Sequence, residues 1–183
     1  MLTITAGINP GLHGVQGEVN EEEDDNSGPL VPMAERKAVV VSARVHPGET
    51  NASHMVKGLV DFLLSDEREA RQLRREFVFK VVPMLNPDGV INGNYRCALA
   101  GHDMNRRWIR PLQREHAPIF HLKNLIQDLQ RDRGVLLFCD LHGHSRKQGV
   151  FAYGCEPAKR DPPPADSRPW EKALARSLFS RTC

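Results

Sequence analysis

The chain has 183 residues, with 25 Lys and Arg against 23 Asp and Glu, and 40% of its residues are hydrophobic. This length and near-neutral charge fit one α/β-sized domain and exclude the Lys- and Arg-dominated composition of a bulk nucleic-acid binder, so no nucleic-acid partner is expected. Because no run of about 18 apolar residues is present and residues 1–5 lack the basic and apolar segments of a secretory signal, we expect neither a membrane-spanning helix nor secretion.

Residues 12–32 are predicted to form a disordered acidic insertion. They contain five consecutive carboxylates, Glu21 to Asp25, and very few apolar side chains. A block of like charges cannot bury enough apolar surface to order itself, so a solvated surface segment is the simpler interpretation. A docking site for a basic partner is the alternative.

Strand-like and helix-like patterns alternate after this insertion. Short runs rich in valine and phenylalanine predict strands, and apolar residues at helical spacing predict helices. In chain order the predictions are a strand over 38–45, a helix over 50–64, strands over 77–82 and 135–141 with a helix over 118–130 between them, and a proline-rich turn with a terminal helix over 158–183. The alternation predicts an α/β fold with a largely parallel sheet covered by helices on both faces.

Polar side chains follow the predicted strands directly, where an open α/β sheet has its binding crevice. His46 and Glu49 follow the first strand, and His142 follows the third. Zinc accepts imidazole nitrogen and carboxylate oxygen, and a catalytic zinc keeps three protein ligands and one open position. The sequence therefore predicts one zinc ion held by these three residues. A histidine hydrogen-bonded within the core is the alternative for His46 or His142 taken alone.

A second group of polar residues suits an anion. Arg96 is followed by Asp103, Asn105 and Arg106. The planar guanidinium of arginine can engage both oxygens of a carboxylate, and an adjacent amide adds a donor. The alternative is that these arginines form solvated surface ion pairs, which we expect for the four arginines of the segment 68–75 (Arg68, Arg71, Arg74 and Arg75).

Four strings of the sequence together carry a family resemblance that none carries alone. They are 44–51 (RVHPGETN), 83–90 (PMLNPDGV), 93–97 (GNYRC) and 139–147 (CDLHGHSRK). In this order and spacing the chain resembles the catalytic domain of the zinc metallocarboxypeptidases, within the cytosolic carboxypeptidase (tubulin deglutamylase) branch. The resemblance covers about residues 39–155, and it implies a mixed, largely parallel sheet.

The resemblance also implies roles for single residues. His46, Glu49 and His142 would bind the zinc ion, and Asp103 would orient His46 through its second ring nitrogen. Arg96 would polarise the scissile carbonyl, and Asn105 with Arg106 would hold the terminal carboxylate of the substrate.

The substrates implied by the resemblance are glutamates at the C-terminus or on the side chains of acidic polypeptide tails such as those of tubulin. We therefore expect acidic tails as partners and a cytoplasmic location associated with the cytoskeleton or the cilium. Seven basic residues near the presumed crevice could steer such a tail, with ordinary surface ion pairs as the alternative. They are Arg44, Arg96, Arg106, Arg107, Arg110, Arg146 and Lys147.

The resemblance further implies a partial catalytic domain, truncated at both ends. The general-base glutamate of the family and a substrate-contacting tyrosine would lie downstream of Cys155, where neither Glu156 nor Glu171 lies in a strand-like context. Because loss of a general base costs about 10²–10⁴-fold in rate, we expect this chain alone to be weak or inactive.

Two other functions remain open at this level. One is an aspartoacylase-like zinc amidohydrolase, which shares the H-x-x-E…H zinc arrangement but acts on small N-acyl amino acids. The other is a non-catalytic fragment that binds zinc and a C-terminal peptide without turnover.

Overall fold

The computed structural model describes residues 1–6 and 31–154. Its secondary structure consists of four strands, four α-helices and two short 3-10 helices, Met33–Glu35 and Met104–Arg106. In chain order these are β1 (Leu2–Ile4), β2 (Lys37–Ala43), α1 (Thr50–Leu63), α2 (Arg68–Glu76), β3 (Phe77–Val82), α3 (Pro87–Ile91), α4 (Ala117–Asp132) and β4 (Val135–Leu141). The chain divides into two compact units, 1–143 and 144–183, and all of these elements lie in the first.

The four strands form one mixed sheet in the order β1-β3-β2-β4. Strand β2 runs parallel to both β3 and β4, whereas β1 runs antiparallel to β3. This confirms the predicted mixed, largely parallel sheet. Strand β2 ends at Ala43 rather than at residue 45, because Arg44 adopts a positive φ of 58° and turns the chain out of the sheet.

Helices cover both faces of the sheet, as predicted. On one face Ala38 and Val40 of β2 pack in a cluster with the buried side of α4, formed by Ile119, Leu122 and Leu129. Because side chains alternate along a strand, Val39 and Val41 point to the opposite face, where they are also buried. Helices α1 and α2 contact the sheet as well. Full burial of one such aliphatic side chain contributes about 1.5–3 kcal/mol.

Helix α2 was not anticipated, and the prediction that its arginines form solvated ion pairs is wrong for Arg74. This side chain is only 2% exposed, and its guanidinium donates to the carbonyls of Leu63 at 2.6 Å and Ser65 at 2.9 Å. The last carbonyls of a helix lack partners within the helix. Arg74 satisfies such groups at the end of α1, which explains why a charged side chain is buried here.

Strand β4 lies at one edge of the sheet in the described part of the chain, where its pairing partner is β2. Its Phe138 remains 36% exposed beside Trp108.

Two predicted segments lie outside the described residues: the acidic insertion 12–32, except for its last two residues, and the terminal segment 158–183. Among the helices of 1–6 and 31–154, none is long and apolar enough to cross a membrane.

Candidate metal centre

A tight turn after β2 aims two of the predicted ligands at each other. The backbone N–H of Glu49 donates to the carbonyl of His46 at 3.2 Å, and α1 begins at the next residue. This places Nδ1 of His46 2.8 Å from Oε1 of Glu49. The turn contacts Tyr95, whose carbonyl accepts from the N–H of Gly48 at 2.7 Å. A Cβ at Gly48 would lie 2.6 Å from the Tyr95 ring, so only glycine permits this approach.

The third predicted ligand, His142, comes from the neighbouring strand. In the parallel register Leu141 of β4 lies opposite Ala43 of β2, so both strands end at the same edge of the sheet. Nδ1 of His142 therefore lies 3.1 Å from Oε2 of Glu49. The N–H of Gly143 donates to the same oxygen at 2.7 Å and holds the carboxylate between the two imidazoles.

The second ring nitrogen of each histidine faces an aspartate. Nε2 of His46 lies 3.1 Å from Asp103, and Nε2 of His142 lies 2.6 Å from Asp140. An ionised carboxylate can only accept, so each Nε2 carries the proton and each Nδ1 presents a lone pair. Two lone pairs thus face the Glu49 carboxylate without a hydrogen atom between them, an arrangement that a cation stabilises.

The size and composition of this cluster fit zinc. The three ligand atoms lie within 4.8 Å of one another. Two ligands bound at 2.0–2.1 Å to a tetrahedral zinc would lie about 3.3 Å apart, close to the separations of 2.8 and 3.1 Å found here. His46 is buried with 5% of its side chain exposed, whereas His142 is 28% exposed, so one side of the cluster is open to solvent. The individual ligand roles stay predictions.

Neighbouring charges and hydrogen bonds change the pKa values of His142 and Asp103. A hydrogen bond to Asp140 raises the pKa of His142, although burial opposes the change. Burial alone would raise the pKa of Asp103, but hydrogen bonds from Arg96 and His46 outweigh it and lower that pKa. Because zinc binds the unprotonated nitrogen, its affinity at His142 should increase with pH.

The predicted anion-binding residues lie next to this cluster in the chain. Nε of Arg96 donates to Oδ2 of Asp103 at 2.8 Å, and the backbone N–H of Asn105 donates to Oδ1 at 2.9 Å. The side-chain oxygen of Asn105 accepts from the Trp108 indole at 2.8 Å, so its NH2 group is the part that can donate to an anion. The Arg106 side chain is exposed. Asp103 thus ties Arg96 and Asn105 to His46, and their roles toward a substrate stay predictions.

Comparison with known proteins decides the family. The family described as "Zinc carboxypeptidase" matches residues 20–177, most of the chain. The chain belongs to the zinc carboxypeptidase family. Zinc is accordingly the cofactor that the His46, Glu49 and His142 cluster fits.

The relatives of this family member are similar over its central part. Cytosolic carboxypeptidase 3 of Mus musculus is 55% identical over 127 residues, and cytosolic carboxypeptidase 2 of Xenopus tropicalis is 57% identical over 126 residues. In each case the match covers 69% of this chain and 13% of the relative. A crystal structure of a carboxypeptidase A homologue from Shewanella denitrificans superposes with a TM-score of 0.57 at 33% identity, covering 61% of this chain and 29% of that one.

Two polar residues of this zinc carboxypeptidase centre were missed by the sequence analysis. Asp140 contacts His142 and accepts from the Ser42 hydroxyl at 2.6 Å. The only local signal is the spacing Asp-x-His at the end of a strand, which places both side chains on one face. The role of Ser42 depends on a neighbouring strand, and no local pattern reveals it.

A second group of possible metal ligands, His102, Glu115 and His116, is better explained as a histidine pair. Nδ1 of His116 accepts from the backbone N–H of Leu112 at 3.0 Å, so the proton of the neutral ring lies on Nε2. That Nε2 donates to Nδ1 of His102 at 2.8 Å. Because both nitrogens of His116 are engaged, no lone pair remains for a metal. The pair instead joins the segment before Asp103 to the start of α4.

Proposed function

We propose that this chain is part of a zinc-dependent metallocarboxypeptidase that removes C-terminal or side-chain glutamates from acidic polypeptide tails such as those of tubulin. The observation that carries the proposal is the convergence of His46, Glu49 and His142, with Asp103 linking that cluster to Arg96 and Asn105. Metal ligands joined by hydrogen bonds to carboxylate-binding groups suit hydrolysis at a chain terminus. Membership of the zinc carboxypeptidase family supports the same reaction rather than an aspartoacylase-like one.

In this proposal each side chain has a separate task. Zinc, when bound, polarises a carbonyl and activates water. Arg96 uses one donor on Asp103 and is 45% exposed, so its terminal NH2 groups remain free to donate to the oxygen on which charge develops. One preorganised donor of this kind contributes about 3–4 kcal/mol. Asn105 and Arg106 bind the terminal carboxylate of the substrate.

The preference for acidic tails rests on positive charge close in the chain to Asn105 and Arg106. Arg106, Arg107 and Arg110 are exposed and lie within five residues of one another. Arg44 is removed from the set of steering residues, because its guanidinium is bound to the Pro47 carbonyl at 2.7 Å and to the Ser53 hydroxyl at 2.8 Å. The remaining exposed arginines supply a local field that attracts an acidic chain.

The proposed cytoplasmic location is supported by the names of the relatives and by the proposed substrate. Several relatives are named cytosolic carboxypeptidases, which supports a cytoplasmic location for this protein as well. Action on tubulin tails would add an association with the cytoskeleton or the cilium.

We further propose that none of the described carboxylates is the general base and that this chain alone turns over weakly or not at all. Among residues 1–6 and 31–154, the carboxylates that contact the two histidines are Glu49, Asp103 and Asp140. Glu49 is a predicted metal ligand, and Asp103 and Asp140 each accept from an imidazole. A carboxylate engaged in either way is a poor base for the attacking water.

Two measurements on one peptide test the proposal. The 183-residue chain is incubated with zinc and a peptide ending in several glutamates; glutamate release is followed by mass spectrometry and peptide binding by fluorescence anisotropy. We expect binding that a chelator abolishes, that a C-terminal amide on the peptide abolishes, and that His142→Ala abolishes. His54→Ala, which changes an exposed histidine on α1, is the matched control and should bind normally.

The outcomes separate the candidate functions. Zinc-dependent binding without release supports carboxylate recognition and shows that this chain alone is a non-catalytic fragment. Zinc-dependent release supports the reaction but refutes the proposal that this chain alone turns over weakly or not at all. Hydrolysis of an N-acyl amino acid in place of the peptide would favour the amidohydrolase alternative. Absence of both binding and release would refute the proposal.

A further inference from the structure

We propose that Asp140, held in place by Ser42, is a positioning residue that fixes His142 for zinc, so that each imidazole of the centre has its own carboxylate. The inference rests on the zinc site of the proposed function and is independent of its substrate. It assigns a role to two residues that contact neither the metal nor the substrate.

The hydrogen bonds of Asp140 use both of its oxygens. Oδ2 accepts from Nε2 of His142 at 2.6 Å, and Oδ1 accepts from the Ser42 hydroxyl at 2.6 Å. Ser42 lies directly opposite Asp140 in the register of β2 with β4 and is fully buried. The carboxylate is therefore held at both ends and cannot rotate without breaking one of these bonds.

The burial of Ser42 and Asp140 argues against a purely structural role for this polar pair. Ser42 lies at the end of a valine-rich strand, and only 15% of the Asp140 side chain is exposed. A buried polar group costs free energy unless its hydrogen bonds are made. Two apolar residues would serve the sheet equally well, so the polar pair points to a task at the neighbouring His142.

The two aspartates that contact the histidines differ in how their charge is balanced. Asp103 accepts from Arg96, which neutralises much of its charge, and from the N–H of Asn105. The hydrogen bonds of Asp140 in the described part of the chain come from a neutral hydroxyl and from His142 itself. Its negative charge therefore acts mainly on the imidazole, which increases the basicity of the nitrogen that faces the metal.

Zinc affinity is the direct test, because it needs no turnover. The dissociation constant for zinc is measured by competition with a chromophoric chelator, and the fold of the zinc-free chain is checked by circular dichroism. Removal of such a carboxylate typically weakens metal binding 10–100-fold. We expect a loss in that range for Asp140→Ala, a smaller loss for Asp140→Asn, which keeps the shape but not the charge, and a measurable loss for Ser42→Ala. Asp61→Asn, which changes an exposed carboxylate on α1, should bind zinc normally.

A second readout separates positioning from a general structural effect. Cobalt substituted for zinc reports ligand geometry in its visible spectrum, which should change in Asp140→Asn and stay unchanged in Asp61→Asn. If Asp140→Ala fails to fold, Asp140→Asn decides the question. Unchanged zinc affinity and an unchanged cobalt spectrum in Asp140→Asn would overturn the inference while leaving the zinc site intact. Failure of the unaltered chain to bind zinc would overturn the proposed function together with it.

Discussion

The close contact between the His46–Glu49 turn and Tyr95 leads to a quantitative prediction for Gly48→Ala. The added Cβ would lie 2.6 Å from the Tyr95 ring and 2.7 Å from its carbonyl oxygen, both well inside van der Waals contact. The ring can rotate, but the carbonyl is backbone and also accepts from the N–H of Gly48 itself. Relief therefore requires a shift of about 0.5–1 Å between the turn and the segment that carries Arg96, and overpacking of this kind costs about 1–3 kcal/mol.

Gly58→Ala is the matched control, because it makes the same chemical change with the opposite expected sign. A Cβ at Gly58 meets no atom within 4 Å, and this residue lies inside α1. Alanine is favoured over glycine in a helix by about 0.5–1 kcal/mol, so Gly58→Ala should stabilise the chain.

Urea unfolding and zinc competition together test the reasoning. We expect Gly48→Ala to lower the free energy of unfolding by about 1–3 kcal/mol and to weaken zinc binding, because His46 and Glu49 move with the turn. Gly58→Ala should raise the free energy of unfolding and leave zinc affinity unchanged. Equal stability and equal zinc affinity in Gly48→Ala and the unaltered chain would refute the proposed contact.

Three further predictions concern burial, pH and the metal. Arg74→Met should lower the free energy of unfolding by about 3 kcal/mol in urea titrations, since a buried and a partly buried carbonyl lose a charged donor, whereas Arg68→Met on the exposed side of α2 should change it little. Burial lowers the pKa of His116 in the folded chain. Below pH ~6.5 the unfolded chain therefore binds a proton at this residue more readily than the folded chain does, which lowers the free energy of unfolding. Stability should therefore fall from pH 7.5 to 5.5 by less in His116→Gln than in the unaltered chain; an equal fall would count against a neutral His116. Zinc at 100 times its dissociation constant should stabilise the chain by about 2.7 kcal/mol, measured by thermal unfolding with and without chelator, and His142→Ala should lose this gain.

The strands and the ligand turn could be predicted because their information is local. The runs 77–82 and 135–141 are rich in valine, leucine and phenylalanine, a composition typical of strands, and both match the observed strands. The spacing of His46 and Glu49 likewise describes a single turn, and the convergence of these residues with His142 follows once both parallel strands end at one edge. The family resemblance added roles for Arg96, Asn105 and Arg106, which await test.

Helix α2 shows where local information ends. Its sequence contains four arginines, and the only apolar residues are Ala70 and Leu73, too few to form an apolar stripe. The helix is instead held by tertiary contacts, with Arg74 buried against the end of α1. From the sequence alone, a charged side chain is predicted to be exposed. Burial of Arg74 follows only from the position of unsatisfied carbonyls in the fold.

From the sequence alone follow the α/β class, the three parallel strands, the family and a candidate set of zinc ligands, because each depends on residue type and short spacing. The tertiary structure alone decides which groups surround those ligands: Ser42 and Asp140 are 98 residues apart, and Gly143 meets Glu49 across 94 residues. The same holds for the pairing of His102 with His116. Hydrogen bonds act over about 3 Å and require both partners to be in place, so the chain must fold before such contacts exist.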